Sequence, residues 1–228
     1  MENIQASFER LCEIIDILLG ENGCPWDRAQ TIKSLREDLL EECYEALEAA
    51  DKYKNNPSSP HNGSVTEIIL LCEELGDVLL TVVLMAKKAE RDGAFKIEDV
   101  LRGICGKMTS RHSHVFGSDT ARSESDALSV WNKNKSAEKK YSNEYEKLLS
   151  VPRTMPSLLR AQKIIGKAKL EGELKNCVSD ACADLNGDNL KSNFGNFLFK
   201  IVKIAKFMDI NAEIALTNFL DEFINSYN

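Results

Sequence analysis

The residues best placed to do chemistry are acids. Glu41, Glu42 and Glu45 stand close together, and Glu74 and Asp77 follow further along the chain. Residues three or four apart share one face of a helix. Glu41 with Glu45, Glu42 with Glu45, and Glu74 with Asp77 therefore present their carboxylates in pairs. If the two segments are consecutive antiparallel helices, all five acids converge. Carboxylates gathered in an apolar bundle do not all stay ionised unless cations neutralise them. Hard oxygen ligands of this kind suit Mg²⁺, with Mn²⁺ as a substitute. No softer site competes. The only histidines are His61, His112 and His114, and no Glu-x-x-His pair of the di-iron type occurs. A solvated acidic face would also produce E-E-x-x-E. Two clusters set among Leu and Ile favour the metal site, as does Gly76. A glycine inside a long helix weakens it, so a close approach of a helix or ligand is expected there.

A second set is basic and aromatic. Lys107 and Arg111 lie four apart, with His112 and His114 just beyond, and Trp131, Lys135 and Lys139 recur at four-residue spacing. Phosphates bridged by a metal need flanking cations, and an indole face can stack on a base. A solvated charged helix with Trp131 as a packing anchor accounts equally well for the spacing.

Helices are the elements that must position these groups. Apolar periodicity predicts helices over residues 4–19, 31–54, 65–91, 97–110, 127–149, 155–169, 177–185, 193–208 and 212–227. Ile4, Phe8, Leu11, Ile15 and Leu18 form the stripe of the first. Leu35, Leu39, Tyr44 and Leu47 are the expected buried side of the second. Residues 55–64, rich in Pro, Asn and Ser, read as a loop. No period-two alternation appears, so the expected class is all-α. The tail echoes the front: Asp180 to Asp184 resembles Glu41 to Glu45, and Asn193-Phe194-Gly195-Asn196 resembles Glu74-Leu75-Gly76-Asp77. Two tandem related helical units are expected, over residues 1–125 and 126–228.

Composition sets the outer bounds. The chain has 228 residues, 43% hydrophobic and 29% charged, with a net charge of −7. That is a globular composition, and the acidic balance argues against a long nucleic-acid partner. The seven cysteines are an odd number without a C-x-x-C pair, which suits free thiols buried among apolar neighbours. No signal peptide or membrane span is read, so a cytoplasmic protein is expected.

Taken in order, these motifs resemble the MazG family of nucleoside triphosphate pyrophosphohydrolases. The resemblance runs through Gly23-Cys24-Pro25-Trp26-Asp27, Gln30-Thr31, Ser34-Leu35, both acidic clusters, Asp99-Val100, Lys107, Arg111-His112, His114-Val115-Phe116, Trp131 and Lys135. It continues through Val151-Pro152, Met155 to Leu158 and Arg160-Ala161. It implies a helical bundle of the all-α NTP pyrophosphatase type that works as a homodimer. It implies Mg²⁺-dependent cleavage of nucleoside triphosphates between the α and β phosphates. The implied metal ligands are Glu41, Glu42, Glu45, Glu74 and Asp77. Glu41 or Glu42 is the expected base, and Lys107, Arg111, Trp131 and Lys135 are the expected substrate contacts. The second unit has only Asp180, Asp184 and two Asn at the matching places, and a neutral amide replaces an anionic ligand poorly. That unit is expected to be structural. Ile32 stands where the family usually has His, and Ser113 where it has Pro. Two alternatives remain: an inactive helical interaction module, and a narrower pyrophosphatase for dUTP or a modified nucleotide.

Overall fold

The computed structural model describes residues 3–53, 64–138, 141–170 and 190–227. Among them every regular element is a helix. In chain order these are α1 (Ile4–Leu18), α2 (Pro25–Ala29), α3 (Leu35–Lys52), α4 (Val65–Arg91), α5 (Ile97–Arg111), α6 (Ser113–Phe116), α7 (Glu124–Glu138), α8 (Glu144–Leu149), α9 (Ser157–Ala168), α10 (Leu190–Phe207) and α11 (Ala212–Asn225). They belong to two compact units, Met1–Asn134 and Lys135–Asn228.

The first unit is organised around α4. Its start is written in the sequence: Ser64 Oγ accepts from the Glu67 amide at 3.2 Å, and Glu67 accepts from the Ser64 amide at 2.9 Å. This capping box satisfies two amides that no helical carbonyl reaches. The helix stops at Asp92, and Gly93 then takes φ +72, a conformation that costs glycine nothing. At its end Lys88 donates to Arg28 O, 2.9 Å away. Further back Glu74 meets Glu45, so α3 and α4 run antiparallel. Lys87 pairs with Asp16 at 2.8 Å, and Arg91 donates to Leu19 O, tying α4 to the end of α1. The core between them is Ile15 and Leu19 from α1, Leu35 from α3, Val83, Leu84 and Ala86 from α4, and Ile97 from α5.

Several details differ from the periodicity. Helix α3 starts at Leu35, not at residue 31. Thr31 N donates to Ser34 Oγ at 2.9 Å, and Ser34 Oγ donates to Gln30 Oε1 at 2.6 Å. These side chains offer the backbone a turn that competes with helix. On α3, Leu35 and Ala49 are the buried residues, whereas Tyr44 and Leu47 are 55% and 60% exposed. The helix expected over 127–149 is two. Helix α8 begins anew at Asn143, which is extended and accepts from the Glu146 amide at 2.9 Å. Short helices α2 and α6 carry too few residues to show a period. Gly76 has open space where a Cβ would stand, so no close approach from within the described residues explains it. Gly23 does have a packing reason, because an added Cβ would overlap the carbonyls of Ile17 and Leu18. The thiols are less buried than expected. Cys12, Cys24 and Cys43 are half-buried, and Cys72 and Cys105 are exposed.

In the second unit Val151, Ile165 and Val202 are buried, and α9 packs against α8, α10 and α11. Gln162 is buried with them. Its amide donates to Ile210 O at 2.6 Å, and its carbonyl accepts from Ala212 N at 3.1 Å. Helix α9 ends at Lys169 with φ 52, and Asp209, just past α10, has φ 56. The expected helix over 177–185, with Asp180 and Asp184 and the thiols Cys177 and Cys182, lies outside the described residues. Among the described residues no helix is long and apolar enough to cross a membrane.

Candidate functional site

The antiparallel run of α3 and α4 sets the register of the acids. Glu42 and Glu45 sit in the middle of α3, Glu74 and Asp77 in the middle of α4. Carboxylate oxygens of Glu42, Glu45 and Glu74 lie within 4.8 Å of one another. Glu42 and Glu74 are half-buried and Glu45 is exposed. Glu45 and Glu74 face each other across the two helices.

The charges are visible in the protonation of the cluster. Burial raises the Glu42 carboxyl above the usual range first, and the charges of Asp77, Glu45, Glu74 and Glu41 add to it in that order. Burial likewise raises Glu74, followed by the charges of Glu45, Asp77 and Glu73. Asp77 therefore belongs to the same field, although it is not one of the three that meet within 4.8 Å. Glu41 is exposed at the margin and acts least on Glu42. Among the described residues none of the five acids forms an ion pair with a lysine or arginine; such pairs occur elsewhere, as between Lys87 and Asp16. An uncompensated all-oxygen cluster of this size fits a hard divalent cation.

Of the basic and aromatic residues, Arg111 at the end of α5 and Trp131 on α7 are brought together. The Arg111 guanidinium stacks over the Trp131 ring, 5.4 Å from its centroid. The indole face singled out for a base therefore carries a cation. Lys107 lies one turn earlier on α5 and is exposed. Lys135 follows Trp131 by one turn on α7, as the first residue of the second unit. Periodicity did not single out Asn134, which holds this corner. Its amide donates to Ser113 Oγ at 2.6 Å and to Ser110 O at 3.2 Å. Ser113 Oγ in turn donates to Asp119 at 2.6 Å. Ser113 thus uses its hydroxyl to fix this turn. His114 lies beside this turn with Nδ1 buried and unbonded, and its ring is 5.7 Å from that of His112. In the second unit, α10 carries Asn193 and Asn196 at the places that echo Glu74 and Asp77.

Known proteins resemble this chain in sequence. Residues 30–116 match the model of the MazG nucleotide pyrophosphohydrolase domain. The chain is 34% identical to the nucleoside triphosphate pyrophosphohydrolase/pyrophosphatase MazG of Thermotoga maritima, covering 96% of this chain and 84% of that protein. It is 31% identical to the nucleoside triphosphate pyrophosphohydrolase of Escherichia coli K12, covering 94% of this chain and 83% of that protein. It is 40% identical to the uncharacterized protein YabN of Bacillus subtilis over 95% of its own length, but spans only 44% of YabN.

Proposed function

The chain belongs to the MazG family, and from that premise we propose that it is a Mg²⁺-dependent nucleoside triphosphate pyrophosphohydrolase. The products are a nucleoside monophosphate and pyrophosphate. The observation that carries this reading is the convergence of Glu42, Glu45 and Glu74 within 4.8 Å, in the field of Asp77 and with no ion-paired lysine or arginine among the described residues. Glu42, Glu45, Glu74 and Asp77 would hold the cation, with Glu41 at its edge. Mg²⁺, when bound, neutralises charge on the triphosphate; Mn²⁺ is an acceptable substitute.

The chain's own residues do the rest. Glu41 or Glu42 accepts a proton from a water. The water oxygen bonds to the α-phosphorus as the bond to the bridging oxygen breaks, and pyrophosphate leaves with that oxygen. Lys107, Arg111 and Lys135 steady the phosphates. Trp131 braces Arg111 by the stacking described above. A Glu41→Gln protein that keeps full turnover would assign the base to Glu42.

The second unit, with Asn193 and Asn196 in place of two acids, is read as structural. The protein is further read as a homodimer. Leu40, Tyr44 and Leu47 on α3, and Leu75, Leu79 and Val82 on α4, recur at helical spacing and are all exposed, which supports a partner over this face. Activity is tested by pyrophosphate release from the canonical (d)NTPs, dUTP and damaged nucleotides with Mg²⁺. Glu45→Gln and Asp77→Asn proteins are expected to lose at least a hundredfold in turnover. Full rates in both would remove the site from consideration.

A further inference from the structure

The end of α4 carries a second feature that the reaction above does not use. Here the last turn of α4 meets α2 and the segment leading into α3 around a cleft of about 530 Å³, within the range of small-molecule sites. Its charged lining is Arg28, Lys33, Lys88 and Arg91 against one acid, Asp92. Four cations and one carboxylate leave three positive charges, on a chain whose net charge is −7. Asp27 adds a nearby negative charge that acts on Lys88, but it forms no ion pair with these four cations among the described residues. Arg28 donates to Glu21 O at 2.6 Å, Lys88 to Arg28 O at 2.9 Å, and Arg91 to Asp16 O at 3.3 Å as well as to Leu19 O. Carbonyl partners hold these heads without neutralising their charge. Among the described residues none of the four is in an ion pair. Lys87, one residue before Lys88, shows the contrast, being paired with Asp16 at 2.8 Å and Glu90 at 3.4 Å. Burial, and then the Arg91 charge, push the Lys88 ammonium below its usual value against the smaller opposing pull of Asp92 and Asp27.

We propose that this cleft is an anion site, separate from the carboxylate cluster, for a small molecule bearing two or more linked phosphates. The three surplus charges match a diphosphate better than a single phosphate. Preset cationic heads bind such groups through charge-assisted hydrogen bonds without first having to be ordered. Concavity and size select a compact anion over a long polymer. Lys88 lies eleven residues beyond Asp77 on the same helix, about 16 Å along its axis at 1.5 Å per residue. The acids repel anions when no cation is present, so the two sites can be separated by experiment.

The test is calorimetric titration of the full chain with inorganic pyrophosphate in EDTA. Saturable binding that weakens with salt is expected. Lys33→Gln together with Lys88→Gln should lower the affinity at least tenfold, and Glu74→Gln should leave it within twofold. Lys33 is exposed, so Lys33→Gln alone, with an expected loss of at least threefold, serves if the double variant does not fold. No saturable binding at millimolar pyrophosphate would overturn the site. So would unchanged affinity in the lysine variants, or loss of binding in Glu74→Gln. Orthophosphate binding as tightly as pyrophosphate would overturn the requirement for two phosphates.

Discussion

At Glu42 and Glu74, the proposed divalent cation would compete with protons for the same oxygens. Both carboxyls sit above their usual range, so each holds its proton more tightly folded than unfolded. The native state then binds more protons in the window just above the ordinary carboxylate value. Stability falls as pH rises through that window and stays lower above it. Replacing either acid by Gln removes the repulsion. Without metal, Glu42→Gln and Glu74→Gln should melt higher than the parent chain at pH 7.5, and this difference should shrink towards pH 4. Millimolar Mg²⁺ should raise the melting temperature of the parent at pH 7.5, because a ligand of the native state stabilises it. The rise should fade as pH falls and be largely absent in the variants. Equal Mg²⁺ shifts in parent and variants would separate the cation from these carboxylates.

At the scale of elements, the deciding contacts are single polar side chains at helix junctions. Gln162 bonds both Ile210 O and Ala212 N and so sets how α9 meets the turn from α10 to α11. Gln162→Ala removes both hydrogen bonds from part-buried backbone groups, at a cost of about 0.5–1.5 kcal/mol each. Urea unfolding should show this as a lower midpoint with little change in slope. Contacts of this kind explain what the sequence did and did not disclose. The acids were legible because helical spacing fixes which residues share a face, and α4 was legible because Ser64 and Glu67 write its start. Gln162 and Asn134 were not, since their partners lie tens of residues away and carry no periodic signal. The false buried side of α3 has a related cause. Tyr44 and Leu47 are apolar at the right spacing, but periodicity reports an apolar face, not whether this chain covers it. The break between α7 and α8 was hidden in a run of charged residues that favour helix on both sides of Asn143.

Uncovered faces set the question at the scale of the whole molecule. In the first unit the core is small, and α3 and α4 expose Leu40, Tyr44, Leu47, Leu75, Leu79 and Val82. Fully burying a side chain of this kind is worth about 1.5–3 kcal/mol, and these six still expose 37–60% of their surface, so a second copy laid over this face would recover a substantial fraction of marginal stability. Such a dimer has two signatures that no monomer gives. Its mass in light scattering is twice 25.5 kDa, and its melting temperature rises with protein concentration, because association and folding are linked. Leu79→Glu with Tyr44→Asp places charge on both stripes and replaces no acid of the carboxylate cluster. The variant should run as a monomer, melt lower than the parent, and lose the concentration dependence. A parent chain that is monomeric at micromolar concentration, with a melting temperature independent of concentration, would leave these stripes without a second copy to cover them.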